Sequence, residues 1–370
     1  MGAHVPAQRC ATATRPRVTA VSGTQAARVL RPRSTHGPII GALVFAVCGA
    51  LVGLLIGPVH IGVEAVARSA ASHLPFLHIR SNLSATDSAI LWQLRAPRVA
   101  LGALVGGMLA LAGGSYQGVF RNPLVDPYLL GVAAGAGLGA TLAIAYGGVA
   151  VESYDLLPIA AFVGAAVGVA LAYALGSAGG RGTPTTLVLA GVTVVVFLTA
   201  IQTFVQQQHT QSLQEVYSWI LGRLDTAGWH DVALVAPYAG VSSTVLLAHR
   251  RLLDVLAVGD DEAATLGVDV RRVRLVVVVF ATVGTAAAVA VSGLIGFVGI
   301  IVPHAIRLAI GTSYRIVLPL SLLVGGGFLV LADVLARTVV SPAELPIGVV
   351  TAFFGAPFFA VVLRTNRSFT

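Results

Sequence analysis

Residues 92–139 read WQLRAPRVALGALVGGMLALAGGSYQGVFRNPLVDPYLLGVAAGAGLG, and this segment establishes what kind of protein the chain is. The apolar run from Val99 to Phe120 contains no charged residue. Its length of about 20 residues is enough to cross the roughly 30 Å hydrocarbon layer of a bilayer at 1.5 Å per residue. Pro97 fits the first turn of a helix, where a missing N–H costs nothing. The segment therefore predicts a membrane-spanning helix.

The same run is rich in small residues, which indicates how its helix packs. Glycines and alanines three or four residues apart let helix backbones approach closely in lipid, so we expect other helices on all sides of this one. The small residues are Gly102, Ala103, Gly106, Gly107, Ala110, Ala112, Gly113 and Gly114. The run ends in a turn at Arg121-Asn122-Pro123. Asp126 is then expected to cap a new helix that has Pro127 at its first position.

The composition indicates a polytopic membrane protein and excludes several other classes. Hydrophobic residues make up 56% of the chain, charged residues 10%, and the mean hydropathy is +0.88, whereas soluble domains carry about 25% charged residues. All 23 basic residues are arginine, so the chain has no Walker A lysine and cannot itself supply an ATPase. Cys10 and Cys48 have neither metal-ligand spacing nor an expected disulfide. The net charge of +8 is explained by membrane orientation, so no nucleic-acid partner is expected.

Hydropathy divides the chain into a basic tail at 1–36, predicted to be disordered and cytoplasmic, and a permease domain at 37–365. About ten transmembrane helices are predicted, and the fold class is all-α. The predicted spans are 37–57, 96–119, 128–149, 157–178, 186–205, 229–248, 275–291, 293–310, 316–335 and 346–363. Long outer segments are expected at 58–94 and 206–228, and a charged cytoplasmic loop at 250–274.

The arginines give the orientation of these spans. Seventeen of the 23 fall on the side of the amino-terminal tail and six on the opposite side. Cytoplasmic segments carry the excess of arginine and lysine in membrane proteins. Both termini are therefore predicted to be cytoplasmic.

Several motifs together resemble the FecCD family, the membrane permeases of ABC importers for iron–siderophore complexes, haem and vitamin B12. They are LRAPR (94–98), QGVFRNPL (117–124), DPYLLG (126–131), SGLIGFVG (292–299) followed by Pro303-His304 and Arg307, ELPIGVVT (344–351) and GAPFF (355–359). The resemblance spans about residues 40–365. It implies a type II ABC importer permease fold in the bacterial plasma membrane, and a translocation pathway formed as a homodimer or with a paralogous permease.

The resemblance also implies a function and a set of partners. The expected cargo is an iron chelate, either a ferric siderophore or haem, with cobalamin as the alternative. The chain would be a transport subunit and not an enzyme. Separate ATPase subunits would bind ATP and Mg²⁺, this chain would bind no cofactor, and an extracytoplasmic substrate-binding protein would deliver the cargo.

The loop 250–274 carries acids at its centre, Asp260, Asp261 and Glu262, and arginines at its ends. Acids favour a helix N-terminus, and a short amphipathic helix with Leu256, Ala263 and Leu266 on one side would fit a groove on a partner. By resemblance this is the helix that couples to the ATPase, with Gly259, Ala263, Leu266 and Gly267 matching the family pattern. The alternative is an ordinary cytoplasmic loop.

Three arginines, Arg95, Arg98 and Arg337, lie on the predicted outer side. Arginines pair bidentately with carboxylates, and in the family the matching arginines dock acidic residues of the binding protein. The alternative is that Arg95 and Arg98 merely snorkel at a helix start.

Thr185 and Thr186 lie at the predicted inner end of the span 186–205, where the family narrows the inner gate. Pro184 stands where relatives often carry a hydroxyl residue, which leaves the detail of this gate open. Gln202 is a candidate for the pathway wall, although an interfacial helix end would carry the same residue. His304 is expected to be structural, with a titrating or metal-binding role as the alternative.

Two other functions compete with an ABC permease. An ion-coupled secondary transporter would place ionisable groups within the membrane, but the acids fall at span ends or in loops, with Asp333 and Asp231 as the nearest exceptions. A membrane-embedded enzyme would need a metal-spaced set of ligands or a nucleophile with its base, and the sequence shows neither.

Overall fold

The computed structural model describes Gly2 and residues 36–59, 61–72, 83–148, 156–178 and 183–365. Contacts divide the chain into two units, Met1–Ser34 and Thr35–Thr370, and nearly all described residues belong to the second. Most of the predicted tail at 1–36 lies outside the described residues. The described part contains helices and no strand, so the predicted all-α class is confirmed.

Fourteen α-helices account for most of the described residues. They are α1 (His36–Leu55), α2 (Val63–Ser72), α3 (Ala85–Ala89), α4 (Ala96–Phe120), α5 (Val132–Tyr146), α6 (Leu156–Ser177), α7 (Pro184–Gln208), α8 (Leu213–Ile220), α9 (Trp229–Leu256), α10 (Asp260–Thr265), α11 (Val270–Ser292), α12 (Val298–Ala309), α13 (Tyr314–Thr338) and α14 (Ile347–Thr365). A π-helix at Ile90–Arg95 joins α3 to α4, and 3₁₀ turns lie at Pro127–Leu130 and Thr210–Ser212.

Seven of the described helices are long and apolar enough to cross a membrane: α1, α4 with its preceding turns, α6, α7, α9, α11 and α13. The apolar helices α5, α12 and α14 are shorter. Each of these ten helices overlaps one of the ten predicted spans, and their ends differ from the predicted ones by at most eight residues. The chain is therefore a multi-pass membrane protein, and the number of complete crossings stays a prediction.

Helix α4 lies at the centre of the bundle and packs against α9, α11, α12 and α13. Two of its glycines show why it needs small residues. A Cβ added to Gly106 would strike the backbone carbonyl of Gly325 in α13, and one added to Gly113 would strike the carbonyl of Gly299 in α12. Backbone contact of this kind is what the small residues were predicted to allow.

The turn after α4 follows the sequence prediction in part. Arg121 ends the helix in the left-handed conformation with φ of 51°, and Asp126 caps the next element by accepting the Tyr128 N–H at 2.8 Å. That element is only a 3₁₀ turn at Pro127–Leu130, and α5 itself starts at Val132. Gly131 makes the change of direction between the two elements. Its φ of 89° is a conformation that residues other than glycine rarely adopt.

Three segments predicted as connections are more helical than expected. The outer segment 58–94 contains α2, α3 and most of the π-helix, and 206–228 contains α8. Helix α9 continues to Leu256, eight residues beyond the predicted end of its span. The predicted spans were ended where the uncharged sequence ends. The helices continue into polar sequence because packing against neighbouring helices stabilises these additional turns.

Candidate functional sites at the two ends of helix α4

Two groups of charged residues lie at opposite ends of α4. Arg98 and Arg121 are separated by 23 positions, which corresponds to roughly 35 Å along a helix. We call Arg95, Arg98, Asp333, Arg337 and Glu344 the arginine cluster. We call residues 257–269, between α9 and α11, the coupling segment.

Arg98 is the centre of the arginine cluster because it holds two carboxylates at once. Its Nε donates to both Asp333 oxygens at 3.0 Å, and its Nη2 donates to Asp333 Oδ1 at 2.8 Å. Its Nη1 and Nη2 also donate to the two Glu344 oxygens at 3.1 and 2.8 Å. Planar guanidinium groups favour such two-point pairing. Arg98 therefore joins the start of α4 to the end of α13 and to the segment before α14.

The other two arginines of the cluster hold the end of α1. Arg337 donates from Nη2 to the Gly53 carbonyl at 2.5 Å, and its Nε lies 3.6 Å from Asp333 Oδ2. Arg95 donates from Nη1 to the Leu54 and Leu55 carbonyls at 3.0 and 3.2 Å, and from Nη2 to the Val59 carbonyl. The last carbonyls of a helix lack partners within it and carry partial negative charge, so these arginines stabilise the C-terminus of α1.

The sequence analysis predicted that Arg95, Arg98 and Arg337 lie on the outer side and dock a binding protein, whereas in the structure all three have partners within the chain. Arg95 and Arg337 are buried, the Arg98 side chain is 12% exposed, and all three bond within the chain. Asp333, one of the two acids named as the nearest exceptions to the placement at span ends or in loops, is also buried. A carboxylate is tolerated there because two arginines pair with it. Docking of a binding protein to the three arginines stays a prediction.

The coupling segment is built around Asp260. Asp260 begins the six-residue helix α10 and pairs with Arg274 of α11 at 3.0 Å and with Arg121 at the end of α4 at 3.5 Å. The predicted acidic helix start at Asp260, Asp261 and Glu262 is confirmed. The segment is thus joined by charge to two of the central helices.

The other residues predicted for coupling divide into buried and exposed ones. Ala263 is buried against the bundle, while Leu266 follows α10 with 68% of its surface exposed. Gly259 and Gly267 have φ of 152° and 80° and form the turns on either side. The predicted apolar face of Leu256, Ala263 and Leu266 was wrong, because Leu256 is buried at the end of α9. Val258, eight positions before Leu266 and also 68% exposed, is a second exposed apolar residue of the segment.

A neighbouring carboxylate anchors a further helix at this end. Asp254, near the end of α9, accepts the Tyr314 N–H at 2.6 Å and the Ser313 hydroxyl at 2.8 Å. It thereby caps the start of α13 from another helix, a role that a residue next to the helix usually fills. Since α13 carries Asp333 and Arg337 near its other end, α13 also connects the two regions.

The predicted gate and pathway residues all lie on α7 but are not brought together. Thr185 and Thr186 are exposed in its first turn, where Thr183 Oγ1 accepts the Thr186 N–H at 3.3 Å. Gln202 lies about four turns further on, where it is buried beside Gly137 of α5. Their gate and pathway roles stay predictions.

Beside α7 lies an apolar cavity of about 420 Å³, lined by Val192, Val195 and Val196 and by residues of the turns before α5 and α12. Asp126 contributes the single carboxylate of its wall. Burial raises the pKa of the Asp126 carboxyl to about 6, and the hydrogen bond from the Tyr128 N–H opposes this rise. The rest of the lining is largely apolar.

A profile of the FecCD transport family matches residues 42–365. The chain belongs to the FecCD transport family. It is therefore a permease of the ABC transporter class and a multi-pass protein of the plasma membrane in bacteria or archaea.

Curated relatives and a solved structure agree with the family assignment. The cobalamin import system permease protein BtuC of Halobacterium salinarum is 43% identical over 282 residues, covering 76% of this chain and 75% of that protein. The Fe(3+)-citrate import system permease protein YfmD of Bacillus subtilis is 38% identical over 289 residues, covering 76% and 83%. A metal-chelate type ABC transporter, solved in an inward-facing conformation, superposes with a TM-score of 0.76 at 29% identity, covering 89% of this chain and 99% of that one.

Sequence reasoning missed several contacts of this FecCD permease. Glu344 was noted only as part of the ELPIGVVT motif, and its pairing with Arg98 crosses 246 positions. Gln117 was likewise noted only as part of the QGVFRNPL motif, although its Nε2 donates to Gly299 O at 3.0 Å and its Oε1 accepts from Arg307 at 2.5 Å. The polar Gln117 within an otherwise largely apolar run was the available signal for its contacts, since buried polar groups need partners.

His304 belongs to the same region of α12. It is buried, with its ring edge-on to Phe358 at 6.0 Å between centroids. The described residues contain no group of three His, Cys, Asp or Glu side chains arranged to hold a metal. A structural role for His304 stays the prediction.

Proposed function

We propose that this chain is the membrane permease of an ATP-driven importer for iron chelates, a ferric siderophore or haem. Two permeases, identical or paralogous, would form the pathway between them. Separate ATPase subunits, which themselves bind ATP and Mg²⁺, would contact this chain at the coupling segment. An extracytoplasmic binding protein would deliver cargo at the arginine cluster. Both termini would then be cytoplasmic, as the arginine distribution predicts.

The main support for this proposal is the structure of the coupling segment. It offers exposed Leu266 and Val258 to a partner, while Asp260 joins it to α4 and α11. A force applied to α10 is therefore transmitted directly to helices that cross the bundle. ATP-driven movement of the partner subunits would switch the packed helices between two arrangements.

The proposal is tested by replacing Leu266 with Asp in the complete transporter. Leu266 is exposed, so L266D should leave folding and membrane insertion unchanged. A carboxylate in an apolar contact with the ATPase should abolish the coupling of ATP hydrolysis to uptake. Uptake and ATPase rates in proteoliposomes check this, with Val63→Asp, 66% exposed at the start of α2 and outside the predicted spans, as the control for a new surface charge. Normal uptake by L266D would contradict the proposal.

The choice of cargo rests on relatives. The names of YfmD and of the solved transporter refer to iron citrate and metal chelates. Cobalamin is the second candidate, because the Halobacterium salinarum relative, a cobalamin permease by name, shares 43% of aligned residues. Uptake of radiolabelled ferric siderophore, haem and cobalamin by the reconstituted transporter separates these cargoes.

An ion-coupled secondary transporter is the competing mechanism. Such a transporter needs a carboxylate free to exchange ions within the membrane, and the buried Asp333 is occupied by Arg98. The ABC mechanism predicts uptake that survives collapse of the ion gradient and stops when ATP is withdrawn. The reverse result would reject it.

A further inference from the structure

The arginine cluster has an excess of positive charge among the described residues. It contains three guanidinium groups and two carboxylates, those of Asp333 and Glu344. Among the described residues, the hydrogen-bond partners of Arg95 are backbone carbonyls. Buried charges without a counter-charge are costly, so the cluster as it stands can accept one more carboxylate.

The two carboxylates on Arg98 are held very differently. The Asp333 side chain is 3% exposed and belongs to α13, so it cannot leave without unpacking the bundle. The Glu344 side chain is 34% exposed and belongs to the segment between α13 and α14. Ion pairs with a solvent-accessible partner contribute little to stability. Glu344 is therefore the partner that Arg98 can exchange.

There is also room for an exchange beside Arg98. An open cavity of about 110 Å³ adjoins the guanidinium and is lined by Arg223, Asp225, Asp333 and Glu344 among others. One water needs only about 10–15 Å³ of such volume, so a carboxylate group fits. The polar lining suits a charged side chain and not an apolar one.

We propose that Glu344 is a built-in competitor for docking. It occupies the position on Arg98 that an acidic side chain of the binding protein takes, and docking exchanges one carboxylate for the other. This inference rests on the proposed function, since it assumes that a binding protein docks at this end of the molecule.

The exchange has a direct structural consequence. Glu344 precedes the first residue of α14 by three positions. The start of that helix is hydrogen-bonded to the segment before α9. The Ile347 N–H donates to the Gly222 carbonyl at 3.2 Å and the Gly348 N–H to the Leu221 carbonyl at 3.0 Å. Release of Glu344 from Arg98 would remove the ion pair that holds this segment to α4. Docking would thereby weaken the attachment of the segment 339–346, which precedes α14, to α4.

The experiment measures binding between the fluorescently labelled binding protein of this importer and the complete transporter in nanodiscs. We compare wild type, Glu344→Gln, Glu344→Asp and the control Glu64→Gln. Glu64 is an exposed residue of α2, paired with Arg68 at 2.5 Å, so E64Q removes the same charge without touching Arg98.

Loss of the competitor should make E344Q bind about threefold to fivefold tighter than wild type, as expected for removal of one exposed ion pair. E344D should fall between the two, and E64Q should stay within about twofold of wild type. The gain in E344Q should persist at high salt, where long-range charge effects are screened.

The outcomes distinguish the inference from the function on which it rests. If wild type binds but E344Q binds no tighter than E64Q, Glu344 is not a competitor and the inference fails while the proposed function stands. If wild type does not bind the labelled protein at all, the proposed function itself fails.

Discussion

The two ends of α4 carry charge in contrasting ways. In the arginine cluster, Arg95, Asp333 and Arg337 are buried. Apart from the pairing of Asp333 with Arg337 four positions away, the partners given for them lie far away in the sequence. In the coupling segment, Asp260 is about one-third exposed, its neighbours Asp261 and Glu262 face solvent, and Leu266 stands free of the bundle. The first region holds helices together, and the second presents a surface.

The two regions differ in burial because they make different numbers of contacts with other helices of the chain. Arg98 and its partners join the ends of α1, α4 and α13, whose terminal carbonyls and charges would otherwise be unpaired. The coupling segment joins α9 to α11 by a short helix, and its contacts with the rest of the chain include buried Ala263, the Asp260 ion pairs and Val268 packed against the core. We therefore expect charge removal to cost more stability in the arginine cluster than in the coupling segment.

The largest effect on stability is expected from Asp333→Asn. Removing this carboxylate leaves Arg98 and Arg337 close together in a buried site without their shared counter-charge. Breaking a buried ion pair in this way costs about 3–5 kcal/mol. Unfolding of the purified protein in detergent measures the loss. A cost as small as that of a surface substitution would show that the cluster does not hold the helices together.

An intermediate effect is expected from Asp254→Ala, which removes the cap of α13 at the other end. The Tyr314 N–H and the Ser313 hydroxyl lose their acceptor. Loss of a helix cap costs about 0.5–2 kcal/mol. The same unfolding assay applies, with Asp254→Asn as the matched variant that keeps one acceptor oxygen and should recover part of the loss. Equal losses in the two variants would point to the ion pair with Arg315 at 3.5 Å instead.

The smallest effect is expected from Asp260→Asn in the coupling segment. Its ion pairs with Arg121 and Arg274 are partly exposed, and such pairs contribute about 0.2–1 kcal/mol each. Asp261→Asn, one position away and exposed, is the control and should change the free energy of unfolding by less than about 0.5 kcal/mol. If D260N destabilised the protein as much as D333N, the contrast between the two ends would be wrong.

Much of the fold was predictable because it depends on hydropathy along the chain. The ten apolar helices, the close packing of Gly106 and Gly113, the cap at Asp126 and the acidic start of α10 follow from local residue properties. The extent of α9 and the helices within 58–94 were missed, because polar turns are stabilised by neighbours that local sequence does not reveal.

The candidate sites were predictable in position but not in pairing. Arg98 and Arg337 were recognised from their place at span ends, and Leu266 from its place in the charged loop. Nothing local distinguishes Glu344 as the partner of Arg98, or Asp254 as the cap of α13. Each of these contacts joins residues at least 59 positions apart.

The sequence by itself determined that this chain is a polytopic membrane protein that lacks a Walker A lysine, because length and hydropathy fix which segments prefer lipid. Its motifs, and not its composition, indicated the permease family. Only the tertiary structure decided which charges are buried and which are exposed. Burial depends on how helices distant in the chain pack together, and in lipid that packing is set by backbone contact and paired polar groups.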